Sequence, residues 1–187
     1  MRKLILLSMI IFCSLSYGQS FVVTPLGLRD AKDLEKTYVV ITVDSMTAKQ
    51  LYDNAIKYIN VNYKNPDYVI KGKTVNEFLK FDTRGINICL LGKSFLVDGK
   101  YTTQLYFKDG KIKYEIIDLE MYSTDRYGSG GSPLRFISST WFKGIYNKEG
   151  ILKEERGKGM IETYFNSELD VITKFLKGKN EIDNKNW

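Results

Sequence analysis

Apolar positions recur along this chain with two different periods. Residues 38–43 (YVVITV) form a β-branched run with little polar interruption, which predicts a well-buried strand. The period then becomes helical. Leu51, Tyr52, Ala55, Ile56, Ile59 and Tyr63 fall on one face. Thr47 with Gln50 three residues later forms a capping box, with Ser45 as a competing cap. Asn65-Pro66-Asp67 ends the helix.

From residue 68 to 122 the period is two. Asp-Gly dipeptides at 98–99 and 109–110 each predict a two-residue hairpin loop. A loop at Asp109-Gly110 sets Lys108 opposite Lys111, and Phe107, Leu105 and Thr103 opposite Ile112, Tyr114 and Ile116 on one face. The other face pairs Tyr106 with Lys113 and Gln104 with Glu115, which suits solvent. A loop at Asp98-Gly99 sets Leu96 opposite Tyr101 and Ser94 opposite Thr103. Asp82-Thr83-Arg84-Gly85 reads as a four-residue turn between alternating Leu79, Phe81 and Ile86, Ile88, Leu90. The doublet Ile116-Ile117 breaks the alternation, and a β-bulge there restores one apolar face and bends the sheet. The stretch is therefore an antiparallel meander of about four strands.

Residues 123–139 are expected to be a long loop containing Gly128-Ser129-Gly130-Gly131-Ser132-Pro133. Residues 141–146 and 151–155 flank Asn147-Lys148-Glu149-Gly150 as a small hairpin. A second helix has Ile161, Tyr164, Phe165, Leu169, Ile172, Phe175 and Leu176 on one face, with Gly178 after its C-cap. Ser167 and Asp170 can cap a restart, so a break near Asn166 is expected. Residues 19–36 read as an N-terminal arm in which 21–23 form a short edge strand, and 179–187 as a frayed tail. The order predicts one α+β domain over 37–178: a curved antiparallel sheet of about five to six strands with two helices packed on one face.

The chain start changes where this domain is expected to act. Arg2 and Lys3 precede an apolar run over residues 4–13, broken only by Ser8, and a small polar stretch over 14–18. That is the order of a secretory signal peptide, with Ser16 and Gly18 at −3 and −1 and cleavage before Gln19. Ten residues of helix span about 15 Å, half the roughly 30 Å of a hydrocarbon core, so this is not a membrane anchor. Phe12 stands where lipidation of Cys13 would need a small residue. Removing 18 residues leaves 169, with one thiol, Cys89, and lowers the net charge from +6 to +4. A charge so mild and dispersed is not a nucleic-acid footprint. No later segment of the mature chain is apolar enough for a transmembrane span. The expected location is the periplasm or the extracellular space.

Four segments resemble a family of small exported bacterial proteins, a domain of unknown function with a TATA-binding-protein-like fold. They are YVVITVDSMTAKQLYDNAIKYI at 38–59, Asn65-Pro66-Asp67 before Val69-Ile70-Lys71, Tyr106-Phe107-Lys108-Asp109-Gly110-Lys111, and Ile161-Glu162-Thr163-Tyr164-Phe165-Asn166. The resemblance covers residues 37–177 and implies that fold. It brings no activity and no catalytic residues, and a fold likeness does not imply DNA binding.

The chain has no histidine among its 187 residues. That excludes Ser-His and Cys-His nucleophiles and His-containing zinc sites. Cys89 lies in an apolar run and reads as a small buried hydrophobe. No Ser has Lys three residues on, and there is no G-x-S-x-G elbow. Carboxylates are the acid/base groups left: Asp118 with Glu120, Glu154 with Glu155, and Glu77, which points to the apolar face if the strand keeps phase with Leu79 and Phe81. The Gly-rich loop lacks a phosphate loop's Gly-Lys-Ser/Thr. Asp98, Asp109 and Asp125 read as turn residues rather than metal ligands, and no cofactor is indicated.

Aromatic residues are plentiful, with 13 Tyr and 10 Phe. Tyr122, Tyr127, Phe136, Trp141, Phe142 and Tyr146 flank the long loop and form the candidate contact surface. The expected function is a non-catalytic exported binding or interaction module whose partner is an envelope protein, a glycan or a lipid-like ligand. The alternatives are a carboxylate-based hydrolase using Glu77, and a structural component of an envelope assembly.

Overall fold

The computed structural model describes residues 19–92, 95–124 and 131–178. The proposed signal, Ser94, residues 125–130 (with Asp125, Tyr127 and the first half of the Gly-rich loop) and the tail lie outside the described residues. The elements run β1 (Phe21–Thr24), β2 (Gly27–Asp30), β3 (Tyr38–Thr42), α1 (Ala48–Asn62), α2 (Pro66–Val69), β4 (Ile70–Thr74), β5 (Phe78–Leu91), β6 (Phe95–Lys108), β7 (Lys111–Thr124), β8 (Pro133–Ile137), β9 (Gly144–Tyr146) and α3 (Glu155–Leu176).

Among the described residues the main sheet has seven strands, more than the five or six expected. Its order is β4-β5-β6-β7-β8-β9, with β3 beside β7 at the far end of β7 from β8. All pairs are antiparallel except β8 with β9. α1 and α3 cover one face, and their apolar stripes meet the inward residues of β5, β6 and β7 in one core. The β1–β2 hairpin flanks α3.

Thr47 caps α1 as expected: its hydroxyl accepts from the Gln50 N–H, while Gln50 Oε1 accepts from the Thr47 N–H at 2.9 Å. The Asp109-Gly110 hairpin has the expected register throughout, from Lys108 opposite Lys111 to Thr103 opposite Ile116. Gly110 takes the positive φ (73°) that the tight turn needs. Asp109 also accepts the Ala48 N–H at 2.7 Å, tying the hairpin to the start of α1.

The other two turn expectations fail together. β5 and β6 are continuous strands of 14 residues each, so neither Asp82–Gly85 nor Asp98-Gly99 is a turn. Gly85 pairs with Gly99 in mid-ladder, and Leu96 pairs with Leu90 and Thr124 rather than Tyr101. The chain bends there through a bulge over residues 86–88, with Asn87 at φ 55°. Asp98 Oδ1 accepts the Asn87 N–H at 2.9 Å and satisfies the amide that the bulge frees. The bulge expected at Ile116-Ile117 sits two residues on, with Asp118 at φ 51°.

The expected long loop is shorter than 123–139, because β7 reaches Thr124 and β8 begins at Pro133. The small hairpin around 147–150 reduces to a bridge between Tyr146 and Leu152. α3 is unbroken. Asn166 does not mark a break but binds β1: the Phe21 N–H donates to Asn166 Oδ1 at 2.7 Å, and Asn166 Nδ2 donates to the Phe21 carbonyl at 3.0 Å.

Candidate functional site

The structure sorts the aromatic residues near the loop into separate roles. Tyr146 on β9 is buried, and its hydroxyl donates to the Val23 carbonyl at 2.6 Å. It fastens the β1–β2 hairpin and is not available for contact. Phe136 is half-buried against the core and covers Gly27. Tyr122 is half-buried on β7, opposite Asp98 and Pro133. Tyr127 lies outside the described residues. Trp141 is the outlier, with 85% of its surface exposed.

Trp141 and half-buried Phe142 sit in the loop between β8 and β9. Ser139 shapes this loop: its N–H donates to the Phe142 carbonyl at 2.9 Å, and its hydroxyl accepts the Phe142 N–H at 3.1 Å. The Arg135 guanidinium lies 5.6 Å from the Phe142 ring centre. Beside Trp141 is a hollow of about 190 Å³ with Leu91, Phe95, Pro133, Leu134 and Lys143 in its wall. The Lys143 ammonium stands 4.7 Å from the centre of the Phe95 ring. A second hollow, of about 340 Å³, holds Tyr122, Arg135 and Phe136 and shares Pro133 and Leu134 with the first. The sequence pattern marks neither Phe95 nor Lys143; the continuous β5–β6 ladder, in place of a turn at 98–99, brings Phe95 beside Leu91 in this wall.

The acid/base candidates do not assemble. Glu77 is exposed in the turn between β4 and β5, not on the apolar face. The strand begins only at Phe78, so the phase carried back from Leu79 and Phe81 does not reach Glu77. Asp118 is at the bulge and Glu120 beyond it, where both line an open trough with Asp82, Arg84 and Lys100. Glu154 and Glu155 open α3 without a side-chain cap bond. The Cys89 thiol is fully buried and free, and burial with the nearby Glu154 charge pushes its pKa up to about 12. Among the described residues no three His, Cys, Asp or Glu side chains gather as metal ligands.

Under the helices lies a cluster that sequence reading did not single out. Tyr58, Tyr63, Tyr101, Tyr114 and Tyr164 all feel the charge of Glu168 on α3. The Tyr63 hydroxyl is 2.8 Å from Thr83 Oγ1, and Tyr101 and Tyr164 place their hydroxyls 3.4 Å apart. Burial raises the pKa of all five phenols, that of Tyr63 to about 12, so they stay protonated and cannot serve as bases at neutral pH. Burial also raises Glu168, against the influence of Tyr101.

Among the described residues, no element covers the sheet face away from the helices. The expected pairs Tyr106–Lys113 and Gln104–Glu115 lie there. β3 adds Val40 opposite Lys113 and Tyr38 opposite Glu115, and β5 adds Phe78 opposite Tyr106. Rings from three strands, Phe78, Tyr106 and Tyr38, thus share this face, with the Phe78 and Tyr106 centroids 4.8 Å apart. The Lys113 ammonium lies 4.3 Å from the Tyr38 ring centre and 5.0 Å from that of Tyr106. Periodicity marks Tyr106, Gln104, Lys113 and Glu115 as solvent-facing, but the 38–43 run reads as well buried; in the structure only alternate residues of β3 are buried, and Tyr38 and Val40 are half-exposed on this face.

No family model and no curated protein matches the chain. Among solved structures it is similar to a TBP-like protein from Parabacteroides distasonis, with a TM-score of 0.53 and 11% identity over 74% of this chain and 89% of that one. It is also similar to a DUF4468 family protein from Bacteroides ovatus, with a TM-score of 0.49 and 15% identity over 74% and 86%. The first likeness establishes a TBP-like α+β fold, as the sequence resemblance implied. Fold carries no function by itself. Among the described residues no helix is long and apolar enough to cross a membrane.

Proposed function

We propose that this chain is an exported, non-catalytic binding module and that the β8–β9 end of its sheet contacts an envelope protein. The observation that carries the reading is Trp141, an indole exposed at 85% beside an apolar hollow. A large ring left in water is costly unless a partner covers it. Phe142 follows it in the chain with Arg135 over the Phe142 ring, and Trp and Arg are among the side chains most enriched at positions that dominate protein contacts. The signal-like residues 1–18 support export. The scattered carboxylates, the inert thiol and the absence of histidine support binding over catalysis.

The test uses the folded mature chain as bait in envelope extract, beside its Trp141→Ala/Phe142→Ala variant. A stoichiometric partner that the parent retains and the variant loses supports the reading. Identical partners for both would overturn this surface as the contact.

A further inference from the structure

The sheet face that no described element covers carries a hollow that shares no lining residue with the one beside Trp141. It is an open trough of about 400 Å³ lined by Tyr38, Val40, Tyr106, Lys108, Lys111 and Lys113. Lys113 is held by Glu115, which its ammonium meets at 2.8 Å. Lys108 and Lys111 have no such partner. They stand directly opposite each other on the last rung of the β6–β7 ladder, and neither forms an ion pair among the described residues. The Asp109 carboxylate between them is turned to the Ala48 N–H. Like charges facing across a rung destabilise a sheet, so this pair costs stability in the free protein and is relieved by an anion lying over it.

We propose that this trough binds a carboxylate-bearing polysaccharide, a chain of uronate sugars. The charge and the floor are complementary to that ligand. Lys108 and Lys111 supply two cations at the rim, and Tyr38, Val40, Tyr106 and the lysine stems supply an apolar floor for pyranose C–H groups. A concave trough suits a discrete chain better than a flat bilayer. Nucleic acid fits less well, because the lining has no Arg, Asn or Gln to read a base edge.

The experiment titrates the mature chain with a polygalacturonate oligomer, the same oligomer methyl-esterified, a single-stranded oligothymidylate of matched charge, and phosphatidylglycerol vesicles. The acidic oligomer is expected to bind with an affinity that falls as salt rises, and the ester not to bind. Lys108→Gln/Lys111→Gln should weaken binding at least about tenfold, while Trp141→Ala leaves it unchanged. Because the two lysines repel, the double variant should melt no lower than the parent, which separates lost binding from lost folding. Tyr106→Ala, at an exposed ring, should weaken binding without unfolding the chain. Binding of the ester as tight as the acid, binding insensitive to Lys108 and Lys111, or tighter binding to the oligothymidylate or the vesicles would overturn the proposal.

Discussion

Gly85 and Gly99 face each other across the β5–β6 ladder, and Ile88 Cδ1 fills the space that a Cβ on either would need. A Cβ would stand 2.8 Å from that methyl at Gly85 and 2.7 Å at Gly99, where the Glu120 carbonyl is also only 3.0 Å away. The two glycines let the bulge after Gly85 fold Ile88 into the core. They are close-approach residues, not turn residues.

Gly99→Ala should therefore cost about 1–3 kcal/mol, the usual penalty for overpacking. Ile88→Val removes the opposing methyl and should by itself cost about 0.5–1.5 kcal/mol. Urea denaturation of the double variant should show a smaller loss than the two single losses added. Additive losses would mean that Gly99 is not there to admit Ile88.

The Cys89 thiol should resist modification in the folded chain. It is fully buried, and its pKa is pushed up to about 12, so almost no thiolate exists at neutral pH. A maleimide should leave the native protein unlabelled and react fully in denaturing urea. Rapid labelling of the native protein would show that the β5–β6 end opens.

Local signals were legible where local physics decides. The capping box at Thr47, the helix stop at Asn65-Pro66 and the Asp109-Gly110 register each depend on a few adjacent residues, and each holds. Asp98-Gly99 carries the same dipeptide as Asp109-Gly110 but sits in mid-strand, because the need for a glycine there comes from Ile88 on the neighbouring strand. Asn166 looks like a helix breaker in sequence and is a clamp on β1, a partner 145 residues away. The same limit applies to surfaces. Counting aromatic residues near a loop could not separate exposed Trp141 from buried Tyr146, whose hydroxyl is used by Val23. Nor could alternation along β6 and β7 reveal the trough, which exists only because β3 brings Tyr38 and Val40 alongside.

Asn166→Ala removes both side-chain bonds to Phe21 and should cost about 1–3 kcal/mol, at about 0.5–1.5 kcal/mol for each bond lost. The loss should be local first. Hydrogen exchange at the Phe21 amide should speed up more than at core amides such as that of Leu105. Asn166→Asp keeps the acceptor and loses the donor, so it should fall between the two. Unchanged exchange at Phe21 would show that burial of its ring alone holds β1.

The pH dependence of stability should carry two opposite signatures. Burial, opposed by Tyr101, raises Glu168 above the ordinary glutamate range. The folded state thus holds this proton more tightly than the unfolded chain. The resulting stabilisation is complete below the ordinary pKa of about 4.3 and is lost as pH rises through the raised value. Above that raised value the ionised carboxylate is a cost among the tyrosines. Glu168→Gln should then match the parent near pH 4 and exceed its stability at pH 7, by a margin that levels off once the carboxyl is fully ionised. For Glu115, burial acts to raise the pKa, but hydrogen bonds from Lys113 and Thr37 outweigh it and hold the carboxyl low. Its stabilisation is present above the ordinary glutamate pKa and lost as pH falls through the lowered one. Glu115→Gln should therefore lose stability at pH 7 and converge on the parent in acid. Denaturation midpoints of both variants from pH 3 to 8 check the pair, and a Glu168→Gln protein less stable than the parent at pH 7 would refute the account of that site.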